Sequence, residues 1–134
     1  MSRIDRDWQG SAVTARSDAG RTGYHAGRSA EGMVARDYAR RGYPLAADRW
    51  RGEGGEIDLI LRDGDGLIFV EVKKSRSFAR AALRLGRPQQ RRICAAAEEF
   101  AATEPRGSLT EMRFDLAVVN AQGEIHILEN AFGA

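Results

Sequence analysis

Two runs of strand-like residues, EIDLILR at 56–62 and LIFVEVKK at 67–74, flank Asp63-Gly64-Asp65-Gly66. Side chains alternate faces along a strand, and Asp-Gly is a strong turn signal, so the segment predicts a β-hairpin. A hairpin closing symmetrically on this turn pairs positions whose numbers sum to 129. Asp58 then stands opposite Glu71, and Glu56 opposite Lys73. Any loop of even length keeps these four on one face. The other face is apolar throughout: Ile57, Leu59 and Leu61 with Ile68, Val70 and Val72. Ile60, Leu67 and Phe69 continue the charged face toward the turn. A strand pair apolar on both sides belongs inside a sheet covered by helices.

Elsewhere the apolar spacing is helical. Val34, Ala35 and Tyr38 share a face of a helix predicted over about residues 27–41, with Glu31 on the same line. Gly42 and Pro44 end it. A second helix is predicted from about Pro88 to Ala102. Proline suits its first turn, Ile93, Ala96, Ala97 and Phe100 form its stripe, and Gln89 extends that stripe. Leu45–Trp50, MRFDLAVVN and EIHILE read as further strands. Residues 75–87 read as a basic connection without assigned structure. The order helix, three strands, helix, two strands implies a mixed sheet flanked by helices, an α/β domain over residues 23–134. Residues 1–22 read as a flexible polar tail.

The 134 residues suit one core. No run approaches 18 apolar residues and the N-terminus lacks an apolar h-region, so the expectation is a cytoplasmic protein. The single cysteine, Cys94, excludes an internal disulfide, and no CxxC pair offers a zinc site. Net charge is only +2, but its distribution is uneven. Residues 73–92 hold eight Lys or Arg and no acid. Lys74, Arg76, Arg91 and Arg92 in this run mark where a phosphate-rich partner would lie. A solvated, charged surface would carry the same run.

Two carboxylates facing each other at about 5 Å repel by roughly 3 kcal/mol at an effective dielectric of 20. One must hold a proton, or a cation must sit between them. Lys73 offsets part of the repulsion, so a Glu–Asp–Lys network that satisfies itself is one reading. The other is a hard-cation site for Mg²⁺ or Mn²⁺, with Asp58, Glu71 and the Val72 carbonyl as oxygen ligands and Glu31 as an additional acid. Such an ion polarises a phosphoryl oxygen and activates water, and Lys73 would orient that water or hold the phosphate. Arg113 and Asp115 alternate on one strand face and read as a structural ion pair.

Asp58, twelve residues, Glu71, one residue, Lys73 fits the D-x(n)-[D/E]-x-K pattern of the PD-(D/E)XK nuclease superfamily. With AEGMVARDYARRGY before the hairpin and PQQRRICAAAEEF and RFDLAVVN after it, the chain resembles the YraN-like uncharacterised family of bacterial proteins, near archaeal-type Holliday junction resolvases. The resemblance covers about residues 23–131. It implies a restriction-endonuclease-like αβββαβ core, with Asp58, Glu71 and Lys73 catalytic and Asp58, Glu71 and Glu31 metal-binding. Gln89 or Gln90 would fill the superfamily's glutamine position near the site. The implied activity is metal-dependent hydrolysis of DNA phosphodiester bonds, branched DNA included, and a homodimer would suit a two-fold junction. The sequence departs from the pattern at Ile57, where the superfamily has proline, and at Lys74-Ser75-Arg76 after the EVK motif. A catalytically inactive nucleic-acid-binding module, or an interaction subunit on the same fold, is the alternative.

Overall fold

The computed structural model describes residues 3–4 and 23–133, with side chains from Ser29 to Gly133. Its elements are β1 (Arg3–Ile4), α1 (Gly23–Arg40), β2 (Leu45–Arg51), β3 (Glu56–Asp63), β4 (Gly66–Lys74), α2 (Phe78–Arg84), α3 (Arg87–Ala101), β5 (Met112–Val119) and β6 (Ile125–Phe132). They form a mixed sheet in the order β1-β6-β5-β4-β3-β2. Its body is the five strands β2–β6, and two-residue β1 lies along the edge of β6. Only β4 and β5 run parallel. The mixed α/β architecture is the one expected. Apart from Arg3–Ile4, the tail expected over residues 1–22 lies outside the described residues.

The sheet is covered on both sides, which explains why its central strands are apolar on both faces. On one side α1 lays Ala30, Met33, Val34 and Tyr38 on Leu59, Leu61, Ile68, Val70, Ala117 and Ile127. On the other, Ile93, Ala96, Ala97 and Ala101 of α3 and Ala81 of α2 meet Ile60, Leu67, Phe69, Phe114 and Leu116. Phe69 stacks on Phe114 with ring centroids 5.4 Å apart. Helix α1 ends as its sequence dictates: Gly42 takes φ 98°, and the Tyr43 N–H returns to the Tyr38 carbonyl.

The hairpin closes with Asp63 paired to Gly66, and its register follows the sum of 129 through Leu59↔Val70. Ile57 departs from expectation. It packs on the α3 side with Trp50 instead of joining Leu59 and Leu61 on the α1 side. The cause lies in β2, where Asp48 pairs with Leu59 and Trp50 with Ile57. Between them Arg49 has φ 47°. One residue in the left-handed region breaks the two-residue alternation and turns both strands beside Asp58.

The segment 75–87 forms a short helix, α2. Ser77 caps it by accepting from the Arg80 N–H at 3.1 Å. The Arg113–Asp115 pair is present at 2.9 Å, with Asp115 fully buried. Asp115 also accepts from the Tyr38 hydroxyl at 2.6 Å and from the Asn130 N–H at 2.9 Å. This cluster ties α1 to β5 and β6.

Candidate active site

The chain enters β3 through a loop fastened to α3. The Glu99 carboxylate accepts from two successive backbone N–H groups, Glu53 at 2.8 Å and Gly54 at 2.6 Å. A Cβ on Gly54 would stand 2.8 Å from the Ala95 Cβ, so glycine is required for this close approach. The loop thereby fixes where β3 begins, two residues before Asp58.

The β3–β4 pairing runs from the turn to Leu59↔Val70. Continued pairing would set Val72 against Ile57. Instead the Val72 N–H donates to Asp58 Oδ2 at 2.8 Å. Beyond this point β4 remains paired to β5, through Lys74↔Val119, while β3 remains paired to β2, through Arg51↔Glu56. Asp58 and Glu71 occupy the place where the two strands part. Alternation along β4 sends Glu71 and Lys73 to the α3 side, together with Phe69.

The Asp58 and Glu71 carboxyls are in hydrogen-bond contact. Burial pushes Glu71 up to about 7, and the Asp58 charge adds to the rise while Lys73 opposes it. Burial also raises Asp58, against the Val72 N–H and the Glu71 hydrogen bond, which favour its ionised form. Lys73 Nζ lies 3.3 Å from Glu71 Oε2. Gln89, from the first turn of α3, completes the cluster. Its Nε2 donates to Glu71 Oε2 at 2.8 Å, and its Oε1 accepts from Lys73 Nζ at 3.2 Å. Of the two glutamines considered, Gln89 is the one at the site. Gln90 instead donates to the Leu85 carbonyl at 3.0 Å.

Glu31 lies on α1 with its Oε2 3.2 Å from Arg49 Nη1. Arg49 also reaches Glu56, at 4.0 Å. Arg49 thus bridges two acids flanking the site, a role that its place in a strand pattern did not announce. Lys74, Arg76, Arg91 and Arg92 are exposed. The Lys74 carbonyl accepts from Arg84 at 2.8 Å. Among the described residues, no three His, Cys, Asp or Glu side chains group as metal ligands. No helix among them is long and apolar enough to cross a membrane.

Residues 30–119 match the model of the uncharacterised protein family UPF0102. The chain belongs to this family. A UPF0102 protein of Roseobacter denitrificans is 60% identical over 119 residues, 89% of this chain and 92% of the relative. One from Ruegeria pomeroyi is 61% identical over 108 residues, 81% and 88% of the two chains. One from Cereibacter sphaeroides strain KD131 is 60% identical over 115 residues, 86% and 98%. The matched UPF0102 region spans α1 through β5 and so includes Glu31, Arg49, Asp58, Glu71, Lys73 and Gln89.

Proposed function

We propose that this UPF0102 protein is a metal-dependent endonuclease that hydrolyses DNA phosphodiester bonds. Branched DNA falls within the substrate class we infer. The observation that carries the reading is geometric: Asp58 and Glu71 meet where β3 and β4 part, with Lys73 Nζ 3.3 Å from Glu71 Oε2 and Gln89 bonded to both Glu71 and Lys73. A buried acid pair that holds a proton near neutral pH is poised to exchange it for a divalent cation. Asp58, Glu71 and the Val72 carbonyl would hold Mg²⁺ or Mn²⁺. When bound, such an ion polarises the phosphoryl oxygen and lowers the pKa of a bound water. Lys73 supplies a fixed positive charge for the phosphate or for the attacking water. Gln89 holds the Lys73 ammonium and the Glu71 carboxyl in one arrangement, which reduces the reorganisation needed when substrate arrives.

The test is cleavage of linear, nicked, flap and four-way DNA with Mg²⁺ or Mn²⁺, beside Lys73→Ala. We expect at least one substrate to be cut by the wild type and left intact by Lys73→Ala. Equal cutting by both would sink the proposal.

The cations already standing on Glu71 and Glu31, Lys73 and Arg49, favour a second reading, a nucleic-acid-binding module that needs no metal. Calorimetric titration with Mn²⁺ separates the two. Heat that disappears in Asp58→Asn supports the nuclease, whereas no heat beyond dilution supports the module.

A further inference from the structure

A cavity of about 220 Å³ opens just beyond the end of β4, lined by Ser75, Arg76, Ser77, Phe78, Asn120 and His126, with Glu124 also on its wall. Its location relative to the candidate active site follows from the sheet. Lys73 pairs with Val118 of β5, and Val118 pairs with His126 of β6. All three lie on the α3 side, where Val118 joins the core and the His126 ring meets Phe78 edge-on at 5.7 Å. Two strand spacings of about 4.8 Å set His126 about 10 Å from Lys73 along the same row.

The lining is rich in donors. The Ser75 oxygen accepts from the Ser77 N–H, and the Ser77 oxygen accepts from the Arg80 N–H. Each hydroxyl therefore keeps its own proton to give. His126 Nε2 is buried and has no hydrogen-bond partner among the described residues. Arg76 is exposed at the mouth. From Ser75 and Arg76 the surface continues into an open trough lined by Arg80, Leu83 and Arg84. Glu124 accepts from Asn120 Nδ2 at 2.7 Å. Its charge favours a monoanionic phosphodiester over a free phosphate, which approaches two charges at neutral pH.

We propose that this cavity seats one backbone phosphodiester of a nucleic-acid strand whose reacting bond lies at Asp58, Glu71 and Lys73. The inference rests on the reading of that site as a nucleic-acid site. At about 10 Å, the seat lies within a few nucleotides of the reacting bond. The trough along α2 carries the strand onward. The occupied seat thus sets a minimum substrate length and fixes strand direction across the sheet.

The test needs no catalysis. His126 and His25 are the two histidines of the chain, so the His126 ring signal in a ¹H–¹³C NMR spectrum is assigned with His126→Gln. The probe is a single-stranded thymidine octanucleotide in EDTA. We expect a saturable shift of the His126 signal, and Arg76→Ala and Ser75→Ala to weaken binding at least fivefold by fluorescence anisotropy while the spectrum stays folded. An unmoved His126 signal at saturating oligonucleotide overturns the seat. So does inorganic phosphate that shifts it as strongly at equal concentration, since that marks a free-anion site. If His126 responds but no DNA is ever cut, the seat stands and the nuclease reading falls. If DNA is cut while His126 does not respond, the nuclease reading stands and the seat falls.

Discussion

Gln89 donates to Glu71 Oε2 at 2.8 Å, joining the first turn of α3 to the open end of β4. The same side chain accepts from Lys73, so its removal frees an ammonium and a buried carboxyl together. In Gln89→Ala, we expect kcat for DNA cleavage to fall 10- to 100-fold, with KM changed less than threefold. Steady-state kinetics on the preferred substrate checks this. A pure rise in KM would make Gln89 a substrate contact instead.

The proton on Glu71 links stability to pH. Its folded value is about 7 against an ordinary 4.5. Between these values the folded protein holds a proton that the unfolded chain has released. The stabilisation is complete below about 4.5 and is lost as pH rises through 7. The difference is on the order of 3 kcal/mol. Thermal unfolding at pH 5.5 and 8.5 measures it: Tm falls toward alkaline pH in the wild type, and Glu71→Gln flattens the slope. Mn²⁺ added at pH 8.5 raises the wild-type Tm and leaves Glu71→Gln unmoved.

Glu99 holds the loop before β3 through two charge-assisted hydrogen bonds. Bonds of this kind contribute roughly 1.5–3 kcal/mol each where buried, and less at this half-exposed position. Glu99→Ala is expected to lower unfolding stability by about 2 kcal/mol in urea. Gly54→Ala should cost a similar amount through the clash with Ala95. A loss under 0.5 kcal/mol in both would show that the loop is not fixed by α3.

Tyr38 and Asp115 are both buried and hydrogen-bonded at 2.6 Å across 77 residues of chain. Tyr38→Phe removes one of Asp115's partners and leaves Arg113 and Asn130 in place, so the expected loss is about 1–2 kcal/mol. Asp115→Ala strands the Tyr38 hydroxyl and one face of Arg113, with an expected loss of about 3–5 kcal/mol. Denaturant midpoints of the two variants and the double variant give the coupling.

The approach of Asp58 to Glu71 was legible because a two-residue turn fixes register, but the Glu56–Lys73 opposition expected from the same register is absent, since the strands part after Leu59↔Val70 and Glu56 pairs with Arg51. A glutamine near the site came from the family resemblance, as Gln89 or Gln90, and the structure places Gln89 there, whereas the α3 stripe was legible from its period. The α2 helix was not. Of its seven residues only Ala81 is buried, so no apolar stripe marks it, and Ser77 before it was the one signal. The shift of Ile57 was equally hidden, since it depends on the backbone angle of Arg49. The Arg49–Glu31 and Tyr38–Asp115 contacts join elements far apart in sequence, where periodicity carries no information.

The parting of β3 from β4 carries one more consequence. The sheet is most cohesive where its strands run together, yet here the ladder stops as the ionisable residues begin. The site is therefore an interruption of the ladder, marked by the side chain of Asp58, which takes the Val72 N–H in place of a neighbouring backbone. Replacing Asp58 with valine would invite the two strands to zip closed. The product would be a more stable sheet in which Glu71 has lost its carboxyl neighbour.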